Sequence, residues 1–218
     1  MKMRERLRLF RASGAWPNIT LDDLDRMMDE AFSGSQTRSG VAMGPASAMT
    51  ISAFFCGVNL IMGAIASMPC LLYRRTDAQS RERYTDHPLY GVLHDQVGPY
   101  MTSHQWKRAM TGRVVLWGNA YCIMTRDPYR GFTTGVERIL DSSQVRVERE
   151  KKTGQLFYEI TYGPGEKETL TREGSPRFVF HLPGPGFNGI TGFSLIGLAR
   201  ESLGLTAAME QFGQQYFG

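Results

Sequence analysis

Six residues, Gly184-Pro185-Gly186-Phe187-Asn188-Gly189, have the spacing of a phosphate-cradling turn. A GxGxxG stretch between a strand and a helix is the fingerprint of dinucleotide binding. Three features argue against that chemistry. Pro185 has no N–H to offer a pyrophosphate. The next helix is expected to begin near Ser194, too far for its positive end to reach the glycines. The flanking strands read as hairpins, not βαβ units. A structured loop is the better reading, and a nucleotide-binding enzyme using Gly184 to Gly189 is the alternative.

Other reactive groups are scattered. His87, His94, His104 and His181 show neither HxxxH nor HExxH spacing, so they read as surface or hydrogen-bonded side chains. Gly192-Phe193-Ser194-Leu195-Ile196-Gly197 misses the nucleophile-elbow pattern, because its second glycine comes one position late. Ser194 is better placed as a helix N-cap. Glu148, Glu150, Glu159, Glu166 and Glu168 are expected to face solvent. Cys56, Cys70 and Cys122 lie far apart in apolar contexts, the pattern of buried free thiols in a reducing compartment. No catalytic, cofactor-binding or metal-binding residue is assigned on this reading.

Charge narrows the function further. The net charge is +4 over 218 residues. Lys2, Arg4, Arg6, Arg8 and Arg11 stand against Glu5 alone in the first thirteen positions, so the remaining 205 residues balance. A basic-domain argument for tight nucleic-acid binding therefore fails for the body. The basic start reads as a solvated arm, with contact to nucleic acid or an anionic surface, or docking through Met3, Leu7 and Phe10, as other readings. It lacks the apolar run of a signal peptide. Ile51 to Met68 is marginal in length for a membrane span, and Pro69 ends it, so a buried core helix is the expectation.

The elements that position these groups are legible in part. Thr20 is a candidate cap for a helix from Leu21 to Phe32. Residues 33 to 48 have linker composition. The helix from Thr50 to Ser67 presents Phe54, Val58, Ile61 and Ile65, with Gly57 and Gly63 allowing close approach. A strand follows from Cys70 to Tyr73, then a charged loop from Arg74 to Asp86, then a short helix opened by His87-Pro88. Thr102 and Gln105 form a capping box for a helix whose apolar stripe is Trp106, Met110, Val114 and Trp117, with both tryptophans buried. Gly118-Asn119 suits its C-cap and leads straight into a strand. Residues 127 to 182 read as an antiparallel meander, with Val136, Arg138 and Leu140 on one face and turns at 151–154 and 163–165. The last segment is a long helix in which Leu195, Leu198, Ser202, Leu205, Met209, Phe212 and Tyr216 form a heptad-like seam. Its lack of a capping sequence suggests a chain cut near the end of that helix. The predicted fold class is α+β, an antiparallel β meander packed with helices and ending in a long helix.

Several of these segments together resemble the portal proteins of long-tailed double-stranded DNA bacteriophages. The similarity runs through the helix Ser52–Ala66 and Ile65-Ala-Ser-Met-Pro-Cys-Leu-Leu-Tyr-Arg-Arg75, then His87-Pro-Leu-Tyr-Gly-Val-Leu93. It continues through Thr102–Trp106, Leu116-Trp-Gly-Asn-Ala-Tyr121 and Asn188-Gly-Ile-Thr-Gly-Phe-Ser-Leu195. Asn188 replaces the family's usual acid, and Phe193-Ser194-Leu195 stands where Ser-Pro-Leu is common. The resemblance covers residues 50 to 218. Residues 1–48, which it does not match, read as an arm from their composition; the resemblance implies a wing-like α+β domain over 49–193 and the start of a stem helix over 194–218. It also implies a non-enzymatic subunit of a homo-oligomeric ring, typically a dodecamer, at one vertex of the virion capsid. Double-stranded DNA would pass through that ring without sequence recognition during packaging and ejection. The major capsid protein, the terminase large subunit and a head–tail adaptor would be its partners, with no cofactor and no membrane. Assembly would take place in the bacterial host cytoplasm.

Overall fold

The structure, a computed structural model, describes residues 37–150, 153–186 and 188–217. The expected helix from Leu21 to Phe32 and the basic arm lie outside the described residues. In chain order the elements are α1 (Pro45–Ala48), α2 (Ser52–Ser67), β1 (Tyr73–Arg75), β2 (Arg81–Arg83), α3 (Pro88–His94), β3 (Gln96–Gly98), β4 (Met101–Thr102) and α4 (Ser103–Trp117). Then come β5 (Asn119–Arg126), β6 (Thr133–Leu140), β7 (Val145–Arg149), β8 (Leu156–Gly163), β9 (Glu166–Thr171), β10 (Arg177–Pro183) and α5 (Leu195–Phe217). All strand pairs are antiparallel, which makes the fold α+β.

β5 is the centre of the molecule because both of its faces are apolar. Ala120, Cys122 and Met124 pack with Trp106 and Met110 of α4, Val92, Val97, Val136 and Phe178. Tyr121 and Ile123 face the other way, onto Leu140, Tyr158, Ile160 and Val179. A strand covered on both faces reads as a continuous apolar run. A third core gathers Ala48, Ile51, Val58, Leu116, Ile196 and Leu203, where α1, α2, α4 and α5 meet.

The strands depart from a simple meander. β7-β8-β9 is a meander, but β10 leaves it and pairs with β5 in the order β10-β5-β6. Its sequence explains the crossing: Phe178 and Phe180 need cover from α4, whereas Val179 needs cover from β8. A bulge at Glu137 sets Val136 opposite Met124 but Arg138 opposite Ile123. Val136 therefore joins the α4 core and Leu140 the opposite one, instead of sharing a face. The segment read as a charged loop after Tyr73 is the two-stranded ribbon β1–β2.

α2 packs against α4 and turns Phe54, Val58, Met62 and Ala66, positions four apart, inward, while Ile61 and Ile65 stay exposed. The close approach is at Gly112 of α4, where an added Cβ would lie 2.9 Å from Met62 Cε. Gly57 and Gly63 are open. Asn59 accepts from the Arg108 guanidinium at 2.5 Å, and the Lys107 ammonium donates to Met68 O at 2.6 Å. Among the described residues no helix is long and apolar enough to cross a membrane.

Trp106 is buried as expected, but Trp117 is not: it closes α4, is 38% exposed and lies under the Arg113 guanidinium. Cys122 is buried, whereas Cys56 and Cys70 are exposed. Cys56 falls on the side of α2 turned away from α4, and Cys70 follows the last turn of that helix. The segment before α1, linker-like in composition, packs against α5: Thr37 is buried and fills the space beside Gly204.

Candidate functional site

The junction of α4, β5, β10 and α5 is built from the residues that the sequence marks most strongly. Thr102 and Gln105 form the expected capping box, with Gln105 N donating to Thr102 Oγ1 at 3.2 Å and Thr102 N donating to Gln105 Oε1 at 3.0 Å. The helix ends at Gly118, whose φ of 79° is left-handed. An L side chain is strained there, and a Cβ would also meet Phe193 C at 2.3 Å. Gly184 N donates to Gly118 O at 2.7 Å. Gly192 comes so close that its own Cβ would lie 2.3 Å from Gly118 O. Three stretches of backbone thus touch with no side chain between them.

Asn119 locks this contact. Its Nδ2 donates to Gly192 O at 2.9 Å, and its Oδ1 accepts from Gly192 N at 2.8 Å. His181 Nε2 lies 3.1 Å from the same Oδ1, and its ring stacks on Tyr121 with centroids 4.4 Å apart. Ser194 is the N-cap: its hydroxyl donates to Leu116 O at 2.8 Å and accepts from Gly197 N at 3.2 Å. One hydroxyl thus ties the last turn of α4 to the first of α5.

The GxGxxG segment is folded onto itself. Asn188 Oδ1 accepts from Ile190 N at 2.7 Å and Thr191 N at 2.9 Å. Phe193 N donates to Pro185 O at 2.7 Å. A Cβ at Gly186 would meet Thr191 O at 2.0 Å. The space beside Gly186 is thus filled by the loop's own backbone and that beside Gly184 by Gly118 O, so neither of these glycines leaves room for a phosphate.

The remaining candidates stay apart. His87 Nδ1 accepts from Leu89 N at 3.1 Å and caps α3. His94 sits beside Asp95, stacked on Tyr90. His104 is exposed. Among the described residues no group of His, Cys, Asp and Glu could hold a metal. Burial pushes the Cys122 thiol up to about 12, which removes its thiolate chemistry. Of the glutamates expected in solvent, Glu150 and Glu166 are exposed. Glu168 is drawn into a half-buried cluster, where its carboxylate takes the Arg177 guanidinium and the Tyr162 hydroxyl. The same guanidinium grips Glu137 at 2.7 and 2.8 Å, and these bonds, ahead of the Glu168 contact, raise the Arg177 pKa above its ordinary value.

Two helical faces have no partner among the described residues. α5 buries Ile196, Arg200, Leu203 and Gly204. At 100° per residue, the seam Leu198, Leu205, Met209, Phe212 and Tyr216 falls on the opposite side, and all five are exposed. On α2, Leu60 and Ile61 are exposed, and the whole helix carries no charged residue. A helix apolar all round is normally buried.

The fold and its surfaces define a structural module, an α+β body that presents apolar helical faces outward. The chain belongs to the phage portal protein family, whose model matches residues 52–218. It is 26% identical over 171 residues to the portal protein of Enterobacteria phage HK97, covering 78% of this chain and 38% of that protein. It is also 26% identical over 188 residues to the probable portal protein of Streptomyces phage phiC31, covering 84% and 40%. The chain thus spans about two fifths of the curated relatives it matches. Its fold is shared with a chain in the neck of an empty gene transfer agent particle, computed with C6 symmetry, at a TM-score of 0.64 and 22% identity, covering 79% of this chain and 46% of that one. The crystal structure of an HK97-family portal protein from Corynebacterium diphtheriae matches at 0.52 and 17%, covering 82% and 49%.

Two predictions test the junction. Gly118→Ala should destabilise the fold far more than Gly189→Ala, which has the same left-handed strain (φ 68°) but open space around it. The expected cost at Gly189 is about 1–2 kcal/mol, and urea titration should give a clearly larger loss at Gly118. The second concerns His181, whose pKa is lowered to about 4 by burial and then by the Arg172 charge. The folded state favours the neutral ring, so the unfolded state binds the proton first. Stability is therefore full above the unfolded pKa near 6.5 and falls as the pH drops through the window down to about 4, by roughly 3 kcal/mol in all. His181→Gln should flatten that part of a stability–pH curve, and an unchanged slope would contradict the assignment.

Proposed function

We propose that this chain is part of a portal subunit, in which residues 49–193 form a wing-like body and α5 starts the stem. Copies meet in a closed ring of twelve at one vertex of the virion capsid. Double-stranded DNA passes through that ring into and out of the capsid, and the ring joins head to tail. The observation that carries this reading is the seam of α5. Leu198, Leu205, Met209, Phe212 and Tyr216 lie opposite the face that packs on the body, and nothing among the described residues covers them. A cyclic assembly brings one surface of each copy against a different surface of the next. The charge-free outer face of α2 is an apolar surface of the kind such a seam requires. Family membership supports the reading independently, as does the C12 symmetry of the neck of a native gene transfer agent particle, to one of whose chains this fold is similar.

A body with balanced net charge suits a wall past which DNA must slide, since phosphate contacts all along that wall would retain the duplex. The portal family is structural, and this chain's part in it is positional and not catalytic. The major capsid protein, the terminase large subunit and a head–tail adaptor are the proposed partners. Subunits assemble in the host cytoplasm before joining the capsid.

The test is assembly of a seam variant. Leu205 and Phe212 are 58% and 66% exposed and lie outside the three hydrophobic cores of the described residues. Leu205→Glu/Phe212→Glu should leave the melting temperature unchanged while shifting sedimentation from a large species to the monomer. Assembly equal to that of the unsubstituted protein would refute the seam as the contact between copies.

A further inference from the structure

β1 and β2 form a ribbon whose two faces differ in charge. Arg74 pairs across with Glu82, their charged groups 3.5 Å apart, and its guanidinium lies 4.8 Å over the Tyr84 ring. The other face carries Tyr73 opposite Arg83 and Arg75 opposite Arg81. All four are exposed. None of Arg75, Arg81 and Arg83 forms an ion pair among the described residues. Like charges directly opposite one another in an antiparallel pair are destabilising. This face therefore holds three uncompensated guanidinium groups, although the body as a whole carries balanced charge.

We propose that the Tyr73–Arg83 ribbon binds the phosphate backbone of duplex DNA through Arg75, Arg81 and Arg83. The guanidinium fork matches phosphate geometry and can bond to it in bidentate fashion. A two-stranded ribbon also fits the width of the major groove. The face offers one aromatic ring and no aliphatic side chain, so it has nothing with which to select the apolar residues of an acidic peptide. A repeating polyanion matches its chemistry better. The proposal is independent of ring formation: it concerns a surface remote in sequence from α5, and the ribbon can bind in a monomer.

Fluorescence anisotropy of the whole chain with a labelled duplex of mixed sequence, of about 20 base pairs, provides the test. Unsubstituted protein should bind with a dissociation constant of roughly 1–100 µM at physiological salt, tightening as salt is lowered. Arg75→Gln/Arg81→Gln/Arg83→Gln should weaken binding about tenfold or more and reduce the salt slope by about 2.7, the share of three phosphate contacts. The corresponding triple Arg→Lys variant should keep the slope, which separates lost charge from lost folding. Substituting Gln for Lys2, Arg4, Arg6, Arg8 and Arg11 should leave the ribbon's share intact. Three results would each overturn the proposal: a triple Gln variant that binds like the parent, loss confined to the arm variant, or tighter binding to a poly-glutamate peptide than to DNA.

Discussion

Backbone touching backbone at Gly118, Gly184 and Gly192 is the constraint on which the rest of the structure depends. Close approach there requires the absence of a Cβ on each chain segment. It leaves amides and carbonyls that must find partners, since a buried unpaired backbone group costs about as much as a lost hydrogen bond. Asn119 supplies both partners for Gly192, and the Gly184 amide goes to Gly118 O. Ser194 then binds Leu116 O, one of the carbonyls that every helix end leaves over. The result fixes where α4 stops, where β10 ends and in which direction α5 leaves the body. A loop with nucleotide-binding spacing turns out to be the fixed mount of a helix.

That mount gives the apolar seam its meaning. α5 spans 23 residues, about 34 Å, and buries apolar residues near its start while exposing a second apolar row along its length. A free helix with two such faces would be poorly soluble, but one held rigidly offers the same surface at the same angle in every copy. In the proposed ring, hydrophobic burial between copies would be repeated identically at every contact. The balanced net charge of the body is compatible with the proposed ring, because it would not drive neighbouring copies apart.

Local signals in the sequence were reliable where one short segment decides the outcome. Thr102 with Gln105, Gly118 as a left-handed cap, Ser194 as an N-cap and Pro69 as a stop could all be read from neighbouring residues. The failures were long-range. Nothing near Arg177 says that β10 will cross back to β5, because the cover it needs comes from α4 and β8. The bulge at Glu137 reverses a face that plain alternation would predict. The stripe on α2 was set by its partner: α4 meets positions four apart through Met62 and Gly112, which leaves Ile61, Ile65 and Cys56 outside. Asn119 was legible as part of a turn, but its pairing with Gly192, 73 positions away, was not. An asparagine immediately after a cap glycine, at the head of a buried strand, was the available hint.

The most direct measurement is electron microscopy of the assembled protein at a resolution that places side chains. A ring subunit requires a closed cyclic particle in which Leu205, Met209 and Phe212 of each copy are covered by the next. A solitary molecule, or a ring in which that row still faces solvent, would contradict the account.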